Sequence, residues 1–167
     1  MAHHEIEMKY LIAMPDEAML AKLEGCQVWE IEQIYLLAEP GTTRRVRRVT
    51  ENGRERYYRT FKRPVSIMTA EEDEGLISRE EYEAYCAERN PEMNAILKTR
   101  YRVPYAEQTL EFDVYPFWTD RAVLEIELDC EEQQTVIPEW VRVLKDVTSD
   151  FRYKNAALAK EIPMDEI

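Results

Sequence analysis

The sequence predicts an α+β chain that is mainly antiparallel β, and three observations predict it. Charged residues recur in pairs one residue apart, as in Glu5 and Glu7 with Lys9, Arg45 and Arg47, Lys98 and Arg100, Glu111 and Asp113, and Glu125 and Glu127. A spacing of two keeps such side chains on one face of a strand. The intervening positions are mostly large and apolar, among them Ile6, Met8, Tyr10, Leu110, Phe112, Val114, Leu124, Ile126 and Leu128. Turn signals separate these runs at short intervals, while helical periodicity is confined to a few short stretches.

In chain order, residues 5–13 alternate as a strand, and Pro15 with Asp16 opens a helix carrying Met19, Leu20, Leu23 and Cys26 on one side, which Gly25 ends. Residues 29–37 read as a strand, Glu39-Pro40-Gly41 as a turn and residues 43–50 as the next strand. Glu51-Asn52-Gly53 makes a hairpin, because Asn and Gly accept the positive φ of a tight turn, and residues 54–62 return antiparallel. Pro64 and the acidic run 71–75 are expected to form a loop, with Glu71 to Glu74 facing solvent. Residues 79–87 fit both periods, since Tyr82, Tyr85 and Cys86 suit a helix while Glu81 and Glu83 suit a strand. A second hairpin is expected from 97–103 and 109–115, then a strand over 122–129, and helices over 131–136 and 138–144.

A length of 167 residues suits one domain, 1–167, with a core of its own. The three cysteines, Cys26, Cys86 and Cys130, have no CxxC spacing, which points away from a zinc site or a disulfide framework and toward a cytoplasmic setting. No signal peptide or membrane span is expected, and His3 and His4 are too few to suggest a metal site. The net charge of -12 argues against general nucleic-acid binding, whose affinity rests on neutralising phosphates with Lys and Arg.

A strand face carrying charge has two readings. It faces solvent in a one-sided sheet, or the sheet closes into a barrel around a charged interior. In the second case the interior has to be wet and occupied, since unpaired buried charges carry a large desolvation penalty. Lys9, Arg45, Arg47, Lys62, Lys98 and Arg100 would then grip a multiply charged anion. Glu5, Glu7, Glu111, Asp113, Glu125 and Glu127 would serve hard divalent cations such as Mg2+ or Mn2+. Oligophosphate with metal uses both signs of charge.

ExExK at Glu5, Glu7 and Lys9 resembles the signature of the CYTH superfamily, the triphosphate tunnel metalloenzymes. Gln33-Ile34-Tyr35-Leu36 resembles that family's QxYL strand. Arg45 with Arg47, Lys62, and Lys98 with Arg100 follow in the family's order. The run from Ser78 to Glu83 resembles its RxEYE segment, Glu111 with Asp113 its ExD, Glu125 with Glu127 its ExE, and residues 150–155 its closing motif. The resemblance implies an eight-stranded antiparallel barrel whose charged tunnel holds a triphosphate. It implies metal ligation by Glu5, Glu7, Glu125, Glu127 and Asp113, and phosphate binding by the basic set, which Arg152 joins. It also places Glu81 and Glu83 on a strand lining the tunnel, together with Asp150.

Phosphoryl transfer needs chiefly positioning, charge neutralisation and an in-line nucleophile, here water with Glu7 or Glu127 as its base. Lys9 and Tyr35 are expected to form a polar pair restricting access to that water. The register that points Arg45 and Arg47 inward exchanges them with Arg44 and Arg48 on a one-residue slip. The function expected is divalent-metal-dependent hydrolysis of inorganic triphosphate or a related small triphosphate, similar to bacterial inorganic triphosphatases. The alternatives are an adenylyl cyclase or thiamine triphosphatase of the same superfamily, and a non-catalytic polyphosphate or nucleotide binder. No membrane partner is expected, and a homodimer is left open.

Overall fold

The computed structural model describes residues 2–167. Eight strands, β1 (Ala2–Ala13), β2 (Gln27–Tyr35), β3 (Thr43–Glu51), β4 (Arg54–Pro64), β5 (Thr69–Ile77), β6 (Ile96–Tyr105), β7 (Gln108–Val114) and β8 (Arg121–Glu127), follow one another in the order β5-β4-β3-β2-β6-β7-β8-β1. A further pairing of β5 with β1 closes them into an antiparallel barrel. The long β1 makes the closure: residues 2–6 pair with β5 and residues 7–13 with β8. A short ninth strand, β9 (Val143–Asp146), joins β1 beside Tyr10, Leu11 and Ile12.

The turns follow from their residues. Asn52 (φ 51°) and Gly53 (φ 78°) connect β3 to β4, the left-handed pair that a two-residue hairpin requires. Between β6 and β7 the same job falls to Ala106 (φ 51°) and Glu107 (φ 61°), neither of which advertises a turn in the sequence. Asp16 caps helix α1 (Glu17–Lys22) by accepting from the Met19 amide.

The barrel is ionic within and apolar without, so its outer wall needs cover. Tyr10, Ile12, Tyr101, Val103, Leu110, Phe112, Leu124 and Ile126 form one outer cluster, against which Leu23 and Cys26 beyond α1 and Ile137 and Val141 beyond β8 pack. Helix α2 (Arg79–Cys86) lays Tyr82, Tyr85 and Cys86 over Ile34, Leu36, Val46 and Tyr57. At one end the inward positions turn apolar: Leu11, Tyr35, Ile96 and Val123 pack with Trp118, Tyr153 and Leu158 as a plug. The 3-10 turn η1 (Phe151–Tyr153) and helix α3 (Asn155–Leu158) carry its C-terminal part.

Three sequence expectations are corrected here. The acidic run 71–75 is not a loop but part of β5, because the edges of β4 and β1 on either side satisfy its backbone. Residues 131–136 and 138–144 form no helix; Gln108 instead brackets the Val136 backbone, donating to its carbonyl at 2.7 Å and accepting from its amide at 2.8 Å, and the segment runs on into β9. Glu81 and Glu83 lie on helix α2, not on a strand. The Ser78 side chain accepts from the Glu81 amide and the Glu81 carboxylate takes the Ser78 amide, a capping box that starts a helix.

Candidate active site

Inside the barrel lies a cavity of about 450 Å³, and strand alternation decides what lines it. β1 contributes Glu5, Glu7 and Lys9; β3 Arg45 and Arg47; β4 Lys62; β6 Arg100 and Arg102; β7 Glu111; and β8 Glu125 and Glu127. Arg45 and Arg47 therefore face inward, while Arg44 reaches outward to Glu88 at 3.1 Å and Arg48 to Glu32 at 3.5 Å. Tyr35 also lines the cavity, its hydroxyl accepting from Gln33 at 3.3 Å. Lys9 binds Glu125 at 3.2 Å and the Tyr153 carbonyl at 3.4 Å, so the polar pair expected with Tyr35 gives way to these partners.

Other expected site residues lie elsewhere. Lys98 and Asp113 are inward by strand parity but lie off the cavity surface, a pair 2.9 Å apart, 3% and 0% exposed. Arg152 is exposed and held by Asp150 at 2.9 Å and Asp165 at 3.0 Å, and Asp150 caps η1 by accepting from the Arg152 amide. Glu81 and Glu83 are exposed on α2, Glu83 pairing with Arg79 at 3.3 Å. Conversely, Glu72 and Glu74 of β5 line the cavity, as do Arg102, Trp29 and Lys154. Arg102 extends the alternation of Lys98 and Arg100 and was findable by it; Glu72 and Glu74 were masked by their resemblance to a solvated acidic run.

Charge crowding dominates the electrostatics. Glu7 and Glu127 are cross-strand neighbours. Burial, reinforced by Glu125 and Glu5, pushes the Glu7 carboxyl up to about 8. Burial, with Glu111, Glu5 and Glu125 nearby, pushes Glu127 up to about 7. Burial works against ionisation of Glu5 too, but Lys62 at 2.7 Å and the hydrogen bond with Glu72 bring it down to about 2. Its partner Glu72, buried and hydrogen-bonded to it, is raised to about 7.

The donor set suits a hard divalent cation: Glu7 and Glu127 are crowded carboxylates short of positive charge, and carboxylate oxygens are what Mg2+ and Mn2+ prefer. Among the described residues no three His, Cys, Asp or Glu side chains converge on one metal position.

The family model described as the CYTH domain matches residues 3–160. The chain belongs to the CYTH family. Among solved structures, this CYTH chain is similar to the inorganic triphosphatase NE1496, with 28% identity, 95% of this chain and 96% of that one covered, and a TM-score of 0.57. The PH1819 protein from Pyrococcus horikoshii OT3 shares the fold at 20% identity, covering 77% and 80% of the two chains with a TM-score of 0.60. A putative adenylate cyclase from Bacillus halodurans shares it at 14% identity, 77% and 83% coverage and a TM-score of 0.51. None of the functionally curated proteins matches. Among the described residues no helix of the CYTH chain is long and apolar enough to cross a membrane.

Proposed function

We propose that this CYTH chain hydrolyses inorganic triphosphate, or a related small triphosphate, with a divalent cation as cofactor. The observation that carries the reading is one cavity lined both by cations of β1, β3, β4 and β6 and by carboxylates of β1, β7 and β8. A polyanion alone would need only the first set, and a cation alone only the second. The similarity to an inorganic triphosphatase over nearly the whole chain supports the same substrate class.

In this reading Arg45, Arg47 and Lys62 bind and align the phosphates, with Lys154 reaching in from the C-terminal segment. Glu7 and Glu127 would hold Mg2+ or Mn2+, with Glu5, Glu111 and Glu125 forming the acidic wall that faces the ion. The cation would neutralise phosphate charge and polarise the phosphoryl group under attack. Lys9, fixed by Glu125, keeps a positive charge on the floor of the cavity. Glu7 and Glu127, which burial and neighbouring carboxylates make more basic than ordinary carboxylates, would be the groups to take a proton from the attacking water.

The deciding assay offers inorganic triphosphate, ATP and thiamine triphosphate in parallel with Mg2+ or Mn2+ and resolves products by mass. Orthophosphate release, fastest from inorganic triphosphate, is the expected outcome. Cyclic product from ATP would make the chain a cyclase, and tight triphosphate binding without any product would make it a binder.

A further inference from the structure

The Arg100 guanidinium is held almost entirely by carboxylates. Its Nε donates to Asp113 Oδ1 at 2.7 Å and Nη2 to Asp113 Oδ2 at 2.9 Å, a two-pronged fork. Nη1 donates to Glu111 at 3.2 Å and Nη2 also to Glu125 at 3.2 Å. Of the five N–H groups that a guanidinium carries, these bonds leave little to offer a phosphate. Asp113 is wholly buried, lies off the cavity surface, and takes Lys98 at 2.9 Å as a second cation. Burial opposes its ionisation, but Arg100 and then Lys98 hold it below the ordinary range.

We infer that Asp113 is a positioning residue rather than a metal ligand: its fork sets the plane of Arg100, and Arg100 in turn fixes the Glu111 and Glu125 carboxylates where they face the cavity. The forked geometry is what fixes a plane, since a single ionic contact leaves the guanidinium free to rotate. Glu111 and Glu125 sit on adjacent strands as cross-strand partners. Their like charges repel, and Arg100 bridging both holds them side by side. Lys98 balances the second charge that the site would otherwise bury, so the cluster of Lys98, Asp113 and Arg100 forms a rigid backing for the acidic wall. Such backing groups typically change metal affinity by about 10- to 100-fold when removed.

The inference rests on the reading of Glu111 and Glu125 as cation-facing, so its test is Mn2+ binding without substrate, followed by the resonance signal of free Mn2+. Asp113→Asn, Arg100→Met and the double variant are compared with the unaltered protein, with thermal midpoints recorded for each. Asp113→Asn is expected to weaken Mn2+ about 10-fold, and in the Arg100→Met background it is expected to add nothing, because its effect passes through Arg100. A further loss of similar size in that background, or no loss from Asp113→Asn alone, overturns the inference while leaving the proposed function intact. Absence of Mn2+ binding by the unaltered protein overturns both. Should Asp113→Asn not fold, a crystal structure of the unaltered protein with Mn2+ decides: an Asp113 oxygen at coordination distance from the ion overturns the inference, and the intact fork to Arg100 upholds it.

Discussion

Arg44 and Arg45 differ by one position and by everything that matters to a ligand. Arg45 lines the cavity, and among the described residues it has no carboxylate at ion-pair distance. Arg44 donates to the Leu37 carbonyl at 2.8 Å and to Glu88 at 3.1 Å on the outside. Arg45→Met should therefore raise KM for triphosphate about 10- to 100-fold, the effect of losing a charge-assisted hydrogen bond of about 1.5–3 kcal/mol. Arg44→Met should leave KM unchanged, as steady-state phosphate release by the two variants would show. A KM rise in the second variant and not the first would mean that β3 is read one residue out of register. The parity of the pairs was legible because a strand has period two. The weight of Asp113 was not, since nothing in the sequence tells a carboxylate at the cavity surface from one just behind it.

At the level of elements, backbone geometry limits what the connections accept. Gly25, which ends the α1 region, has φ +74°, and a Cβ there would stand 2.9 Å from Pro104 Cγ of β6. Gly41, with φ +80°, has open space around its Cβ position. Urea unfolding should show Gly25→Ala destabilised by about 1–3 kcal/mol, more than Gly41→Ala, which bears only the conformational cost. The β3–β4 hairpin was readable from Asn52-Gly53, whereas β5 was not, because its acidic residues look solvated until β4 and β1 flank them. Helix α2 shows the opposite error. Ser78 and Glu81 spell a capping box that decides for a helix where the two periods leave residues 79–87 open and the family resemblance implies a strand.

For the whole molecule, a barrel that concentrates charge makes stability depend on pH. Glu7 and Glu127 have raised folded-state values, so the stability tied to their protonated forms is present below about 4.5 and is lost as pH rises through about 7 to 8. Glu5 acts in the opposite sense: its contribution is present above about 4.5 and is lost as pH falls toward about 2. In chelator, the thermal midpoint should fall between pH 6 and pH 8.5, and Glu7→Gln should flatten that slope. Divalent cation should restore the midpoint at pH 8.5 by binding the folded state; an unchanged slope in Glu7→Gln would assign the pH dependence to other groups. The sequence by itself determined that this chain makes antiparallel strands with one ionic face, which signs of charge each strand carries, and that Arg45 and Arg47 share one face of their strand while Arg44 and Arg48 share the other. The tertiary structure decided which of those charges meet in the cavity. It brought in Glu72, Glu74 and Lys154, kept Lys98 and Asp113 off the cavity surface, and left Arg152 exposed. The physical reason is that period two fixes the direction a side chain points, while its depth along the barrel is set by stagger and tilt between strands that are distant in the chain.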